Sequence, residues 1–203
     1  MLSALLSLLT RFQRPSKASA PPLGQILAFE TQSFAETLAR VAESQVGKRE
    51  EGGNNRGSDV VEYQKATWLP PGPGPWCAAF VCWCILTAIH SHGLNPKWPR
   101  PRTAGAYDLE QWAAGKYGAM FGAWAVIKST PGASTTWPRR GDIITFTWPH
   151  VGIVTGYDAH TKRVFTVEGN AGMAQASDSA AGDGVVEKEH HITKTRRLIR
   201  YVG

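Results

Sequence analysis

Cys77 stands in the run PGPGPWCAAFVCWCILTAIH, where a loop of prolines and glycines gives way to an apolar stretch with helical spacing. Prolines at that density exclude helix and central strand, so the chain restarts as a helix at about Cys77. The first turn of a helix carries N–H groups without intrahelical partners and the positive end of the macrodipole, and both favour a thiolate. His150 then opens the apolar run HVGIV, and VEGN puts Glu168 and Asn170 two residues apart on the next strand. By strand alternation those two share a face, where a carboxylate or an amide can accept from the His150 ring and fix its tautomer. Nucleophile, base and orienting group together make a cysteine hydrolase that works through a thioester. Glu168 is the first choice of orienter, because a carboxylate also raises the basicity of the ring, and Asn170 is the second. Gly152 lies on the same strand face as His150, and its missing side chain leaves room there for a substrate backbone. Trp76 and Trp148 flank the two reacting residues, and Asn55 sits in the GGNNRG loop; these three and Gly152 are the expected substrate contacts.

The remaining chemistry-bearing residues read as structural. Cys82 and Cys84 fall mid-helix and behave as small buried hydrophobes. Neighbours two, five or seven apart on one helix do not meet disulfide geometry, and C-x4-C-x-C is not a zinc spacing, so three free thiols are expected. His90, His92, His160, His190 and His191 sit in helix ends, loops or polar strand contexts and read as satisfied or exposed residues. No required metal and no cofactor are expected.

Positioning the set requires helices first and strands after. Apolar spacing predicts helices over 34–45, 59–66, 76–90 and 104–114. On the third of these, Cys77, Phe80, Val81, Cys84 and Ala88 form one face that packs on a sheet. From residue 142 the period changes to two, with strands over 142–148, 150–158, 162–170, 184–190 and 196–202 separated by turn chemistry. That order predicts an α+β fold with an antiparallel sheet. Residues 96–138 read as irregular apart from the helix over 104–114.

A chain of 203 residues, 42% hydrophobic and 19% charged, has the composition of one well-buried globular domain. Its formal charge of +6 favours anionic partners. No zinc-finger spacing, basic heptad or long Lys/Arg run accompanies that charge, which argues against nucleic acid. Residues 1–24 are expected to form an apolar segment and linker ahead of a catalytic domain over 25–203. Arg11, Arg14 and Lys17 follow the apolar run rather than precede it, and Pro21 follows Ala18-Ser19-Ala20, a poor pattern for a cleaved secretory signal. Leu2, Leu5, Leu6 and Leu9 share a helical face, so the segment reads equally as an amphipathic docking helix or a frayed terminus. Nothing approaches the length of a membrane span.

The order Cys77, PRRGDIITF, HVGIV, VEGN resembles the CHAP family, the cysteine- and histidine-dependent amidohydrolases and peptidases, over about 34–202. The stretch EEGGNNRGSDVVEYQKATWLPPGPGPWCAAFV looks like a branch of it seen in phage and bacterial proteins. The resemblance implies a papain-like fold, Cys77 as nucleophile, His150 as base and Glu168 or Asn170 as third member. It further implies hydrolysis of an amide in bacterial peptidoglycan, by phage lysis, from a virion or through a secretion machine, with residues 1–24 contacting a virion or tail partner. A monomer is expected. Some relatives hold calcium in an acidic loop before the cysteine; here that region offers only Asp59, Glu62 and the Glu50-Glu51 pair. A papain-type oxyanion glutamine is not evident, since Pro71 stands six positions before Cys77. The alternatives are a catalytically silent wall-binding or virion module and a secreted antibacterial amidase.

Overall fold

The computed structural model describes residues 33–95, 99–115, 124–128, 134–172 and 182–202. The chain divides into two units, Met1–Thr31 and Gln32–Gly203, and all of the described residues belong to the second. The apolar segment 1–24 and the boundary expected at residue 24 lie outside the described residues.

Among the described residues there are four α-helices, α1 (Phe34–Glu43), α2 (Ser58–Lys65), α3 (Cys77–Ser91) and α4 (Asp108–Ala114). Six strands follow, β1 (Trp124–Ile127), β2 (Ile143–Phe146), β3 (Val151–Asp158), β4 (Arg163–Ala171), β5 (Gly184–His191) and β6 (Thr195–Tyr201). They form one antiparallel sheet in the order β1-β6-β2-β3-β4-β5. The five strands expected after residue 142 are present. β1 was not expected: WAVI is too short for a periodic signal and is a strand by virtue of its pairing with the edge of β6.

α3 is the centre of the molecule. It packs on α1 and α2 on one side and on β3 and β4 on the other. Every residue from Cys77 to Cys82 is buried, so the single apolar face expected for this helix is corrected to burial nearly all round. No side chain caps its start. A missing cap costs about 1 kcal/mol, whereas burying Phe80, Val81, Ile85 and Ile89 contributes about 1.5–3 kcal/mol each. Packing therefore decides that the helix forms, and its first amides remain available for chemistry.

Strand alternation divides the sheet's side chains into two clusters. Ile143, Val151, Ile153, Val167 and Ile199 join α3 in the main core. Ile144, Phe146, Val154, Val164, Ile192 and Leu198 form a second cluster. Thr166 and Glu168 share the strand parity of Val164 and so belong to the second face. At the close approach of β4 to α3 stands Gly169, where a Cβ would come within 2.7 Å of the Phe80 ring and 2.8 Å of Trp76.

The PRRGD run before β2 braces this arrangement. Arg140 bridges Glu36 (2.7 Å) and Glu43 (2.5 Å) of α1. Buried Asp142 accepts from Arg200 of β6 through both oxygens, at 2.8 and 2.7 Å. The motif thus ties the first helix and the last strand to the start of the site's hairpin.

Candidate active site

Cys77 is the first residue of α3, with Trp76 as its N-cap, no acidic residue in the first turn, and the first intrahelical bond running from Phe80 N–H to the Trp76 carbonyl. The N–H groups of Cys77, Ala78 and Ala79 precede that bond and face the positive pole. Cys82 and Cys84 are fully buried, and burial pushes both thiols up, that of Cys82 to about 12. They stay protonated and take no part in the chemistry, and all three cysteines are free.

His150 ends the tight turn between β2 and β3. Its N–H donates to the Trp148 carbonyl (2.7 Å) and its carbonyl accepts from Phe146 N–H (3.2 Å), so the backbone is held on both sides. The side chain is 2% exposed and stacks on Phe146 at 5.9 Å. Cys77 is close enough to the ring to act on its titration. On the other side Nε2 stands 3.0 Å from Glu168 Oε2, an ion-pair contact with the N–H directed off the oxygen. Burial disfavours charge on this ring, but contact with Cys77 and then with Glu168 outweighs it and pushes the pKa up to about 10. Burial likewise opposes ionisation of Glu168; the contacts with His150 and His190 win and hold its carboxyl down at about 2. The arrangement therefore keeps a protonated imidazole between a sulfur and a carboxylate.

Glu168 is held more tightly than alternation alone suggests. Oε1 accepts from Thr166 Oγ1 (2.6 Å) and lies 2.7 Å from His190 Nε2. His190, expected to be a satisfied or exposed strand residue, thus bonds the carboxylate that faces His150. Its position in the alternating EKEHH run of β5 conceals this, because only the β4–β5 register, with Val164 opposite His190, brings it to Glu168. Thr166 was missed for a related reason: two residues before Glu168 it reads as an ordinary strand threonine.

Several expected contacts are corrected by the structure. The room at Gly152 is taken by Glu168 itself, since a Cβ there would lie 2.7 Å from Glu168 Cγ. Trp76 is 1% exposed, stacked on Tyr63 at 5.5 Å, and so is core rather than groove lining. Its indole N–H donates to Glu50 Oε1 (2.8 Å), while Glu50 Oε2 accepts from Asn55 N–H (2.7 Å). The Asn55 side-chain amide donates to the Pro73 carbonyl (3.1 Å). Asn55 therefore staples the GGNNRG loop to the loop that delivers Cys77, with φ of 57°. Trp148 is half-buried, stacked on Phe146 at 4.7 Å with the Lys194 ammonium 5.8 Å above it, a rim position. Asn170 is buried with φ of 56°, inside a shift in the β4–β5 register between Glu168 and Ala171, so simple alternation with Glu168 does not hold. The contact to His150 comes from Glu168.

Gln64, also unexpected, shapes the nucleophile loop: its amide donates to the Gly72 carbonyl (2.7 Å) and its oxygen accepts from Gly72 N–H (2.9 Å). A recess of about 160 Å³, lined by Gln64, Leu69, Pro70, Gly74, Pro75 and Ala79 among others, opens beside that loop and reaches the first turn of α3. Glu50 is engaged as above, Asp59 pairs with Lys48 at 3.1 Å, and Glu62 pairs with Lys65 at 2.5 Å. Among the described residues, no three His, Cys, Asp or Glu side chains group as metal ligands, and no helix is long and apolar enough to cross a membrane.

Residues 70–170 match the family model described as the CHAP domain. That span runs from the nucleophile loop to Asn170, and four helices on a six-stranded antiparallel sheet are consistent with a papain-like CHAP fold. Searches against curated proteins and against solved structures return no match.

Proposed function

Since this chain is a CHAP-domain protein, with the peptidoglycan hydrolase type of amidase or peptidase activity that the domain implies, we propose that Cys77, His150 and Glu168 cleave an amide of the wall peptide through a thioester. The observation that carries this reading is the His150 ring, 2% exposed, with Glu168 Oε2 at 3.0 Å and Cys77 near enough to raise its pKa. The Cys77 sulfur attacks the scissile carbonyl, and the oxyanion is met by the Cys77 N–H at the start of α3. The imidazolium of His150 gives its proton to the leaving amine, and the neutral ring then takes one from the water that hydrolyses the thioester. Glu168 keeps the ring oriented and balances its charge. Trp148 borders the site, and the recess beside Pro75 and Ala79 is a seat for a small group of the stem peptide.

For the biological setting we propose a phage lysis or virion-associated enzyme, supported by the likeness of residues 50–81 to that branch. Residues 1–24 would then join a tail or partner protein, and the catalytic unit would act as a monomer. Loss of turbidity of purified peptidoglycan, compared between wild type and Cys77→Ala, tests the chemistry: clearing is expected only from wild type, and equal clearing by both would overturn it. Mass spectrometry of the released fragments distinguishes a muramoyl-alanine amidase from a stem or cross-bridge endopeptidase. Deletion of residues 1–24 is expected to abolish particle or partner association while leaving clearing intact.

A further inference from the structure

We propose that His190 is a positioning residue for this site, holding the Glu168 carboxylate by Oε1 so that Oε2 faces the His150 ring. The inference rests on the reading of Cys77, His150 and Glu168 as the reacting set.

A carboxylate with one fixed oxygen can still turn about its bond to the chain, and here the turn would carry Oε2 away from His150. Two donors meet Oε1 from different strands, Thr166 Oγ1 of β4 at 2.6 Å and His190 Nε2 of β5 at 2.7 Å. An ionised Glu168 has no proton to give, so the proton in the second contact belongs to His190 Nε2. The His190 ring is itself held: its side chain is 14% exposed, with Phe146 at 4.6 Å and Trp148 at 5.7 Å. Phe146 also stacks on His150 at 5.9 Å, so one phenyl ring touches both imidazoles while one carboxylate contacts both. His190 thereby converts the β4–β5 register into the orientation of the catalytic base. A residue that only satisfied a buried carboxylate would contribute to stability and leave the chemistry unchanged.

The charged and titratable groups around His190 are Glu168 from β4, His150 from the β2–β3 turn, Lys188 on the same face of β5, and Lys194 across Trp148. The test uses the full chain with three variants. His190→Phe keeps the aromatic packing and removes the donor, His190→Gln keeps an N–H donor of similar reach, and His190→Ala removes both. Two readouts are taken, turnover on peptidoglycan and the pH profile of Cys77 alkylation by iodoacetamide. Cys82 and Cys84 have 0% exposure, so the alkylation signal belongs to Cys77, as peptide mass confirms. In His190→Phe, kcat is expected to fall about 10- to 100-fold with KM within about 2-fold of wild type. The acid limb of the alkylation profile is expected to move up by about half a pH unit or more, as the ring loses its fixed counter-ion. His190→Gln is expected to recover most of the lost kcat. A profile and kcat equal to wild type in His190→Phe, with only melting temperature lowered, would overturn the proposal. So would an acid limb displaced to lower pH, which would mean that His190 competes with His150 for the carboxylate. If the wild type hydrolyses no wall material while the profile still shifts in His190→Phe, the positioning role stands and the proposed substrate fails. Should His190→Ala not fold, the Phe and Gln variants decide the matter alone.

Discussion

At the residue scale, Cys77 and Glu168 act together to push the His150 pKa up and favour the charged ring. With its pKa at about 10 against 6.5 for an ordinary histidine, the charged ring stabilises the fold fully below about pH 6.5, and that contribution disappears as pH rises through 10. Glu168, lowered from 4.5 to about 2, works in the opposite sense: its contribution is complete above about pH 4.5 and is lost as pH falls through 2. Both contributions are complete between about pH 4.5 and 6.5. Thermal melts of wild type and Glu168→Gln across pH 3–11 are expected to differ most in that window, with the difference narrowing toward both extremes. For catalysis, an imidazolium that survives to high pH should sustain kcat/KM into the alkaline range, with a fall as pH passes about 10. Glu168→Gln keeps the shape of the side chain but removes the negative charge that holds the ring. Its kcat is expected to drop about 10²- to 10⁴-fold, with the alkaline limb of the rate profile shifted to lower pH. An unchanged alkaline limb would show that Cys77 alone keeps the proton on His150.

At the element scale, α3 and β4 must meet closely for the sulfur at the start of the helix to reach a ring facing the strand's carboxylate. Gly169 is the point of contact, because any side chain there runs into Phe80 and Trp76. Gly169→Ala is expected to cost about 1–3 kcal/mol by overpacking and to lower kcat as well, since the separation of α3 and β4 also sets how far Cys77 stands from the carboxylate that faces His150. Denaturant melts and turnover measured together check both parts. The nucleophile loop is a second such element. It is braced by Glu50 to Trp76, Asn55 to Pro73, and Gln64 to Gly72. These bonds explain how a segment of prolines and glycines, which builds no ladder of its own, presents Cys77 in one place. Asn55→Ala removes a staple and touches none of the reacting atoms; it is expected to raise proteolytic nicking of the loop while leaving the pH profile in place.

At the scale of the whole molecule, the PRRGD run and the net charge act in different ways. Asp142 and Arg200 join the start of β2 to β6 in a buried pair, with side chains 2% and 10% exposed. Asp142→Ala leaves the guanidinium without its partner, and unfolding free energy is expected to fall by about 3–5 kcal/mol, measured by urea titration. The surplus of six positive charges would attract an anionic wall over distances of about a Debye length, roughly 8–10 Å near physiological salt. Wall binding and clearing are accordingly expected to weaken as salt rises from 50 to 500 mM, while iodoacetamide alkylation of Cys77, which involves a neutral reagent, stays constant.

What was legible in the sequence was local. Proline density ahead of an apolar run marks where a helix begins, a period of two marks strands, and a carboxylate two residues from an amide marks a polar strand end. From these come Cys77, His150, Glu168 and the α+β order. Each depends on neighbours within a few residues, and short-range sterics and periodicity govern there. What the tertiary structure decided depends on registers set by contacts distant in the chain. His190 reaches Glu168 through strand pairing across 22 positions, Trp76 turns into the core to meet Glu50 across 26, and β1 exists because β6 offers an edge. The space at Gly152 reads as open until the side chain from the neighbouring strand fills it. Strand register and close packing are collective solutions over the whole core, so no window of the sequence carries them.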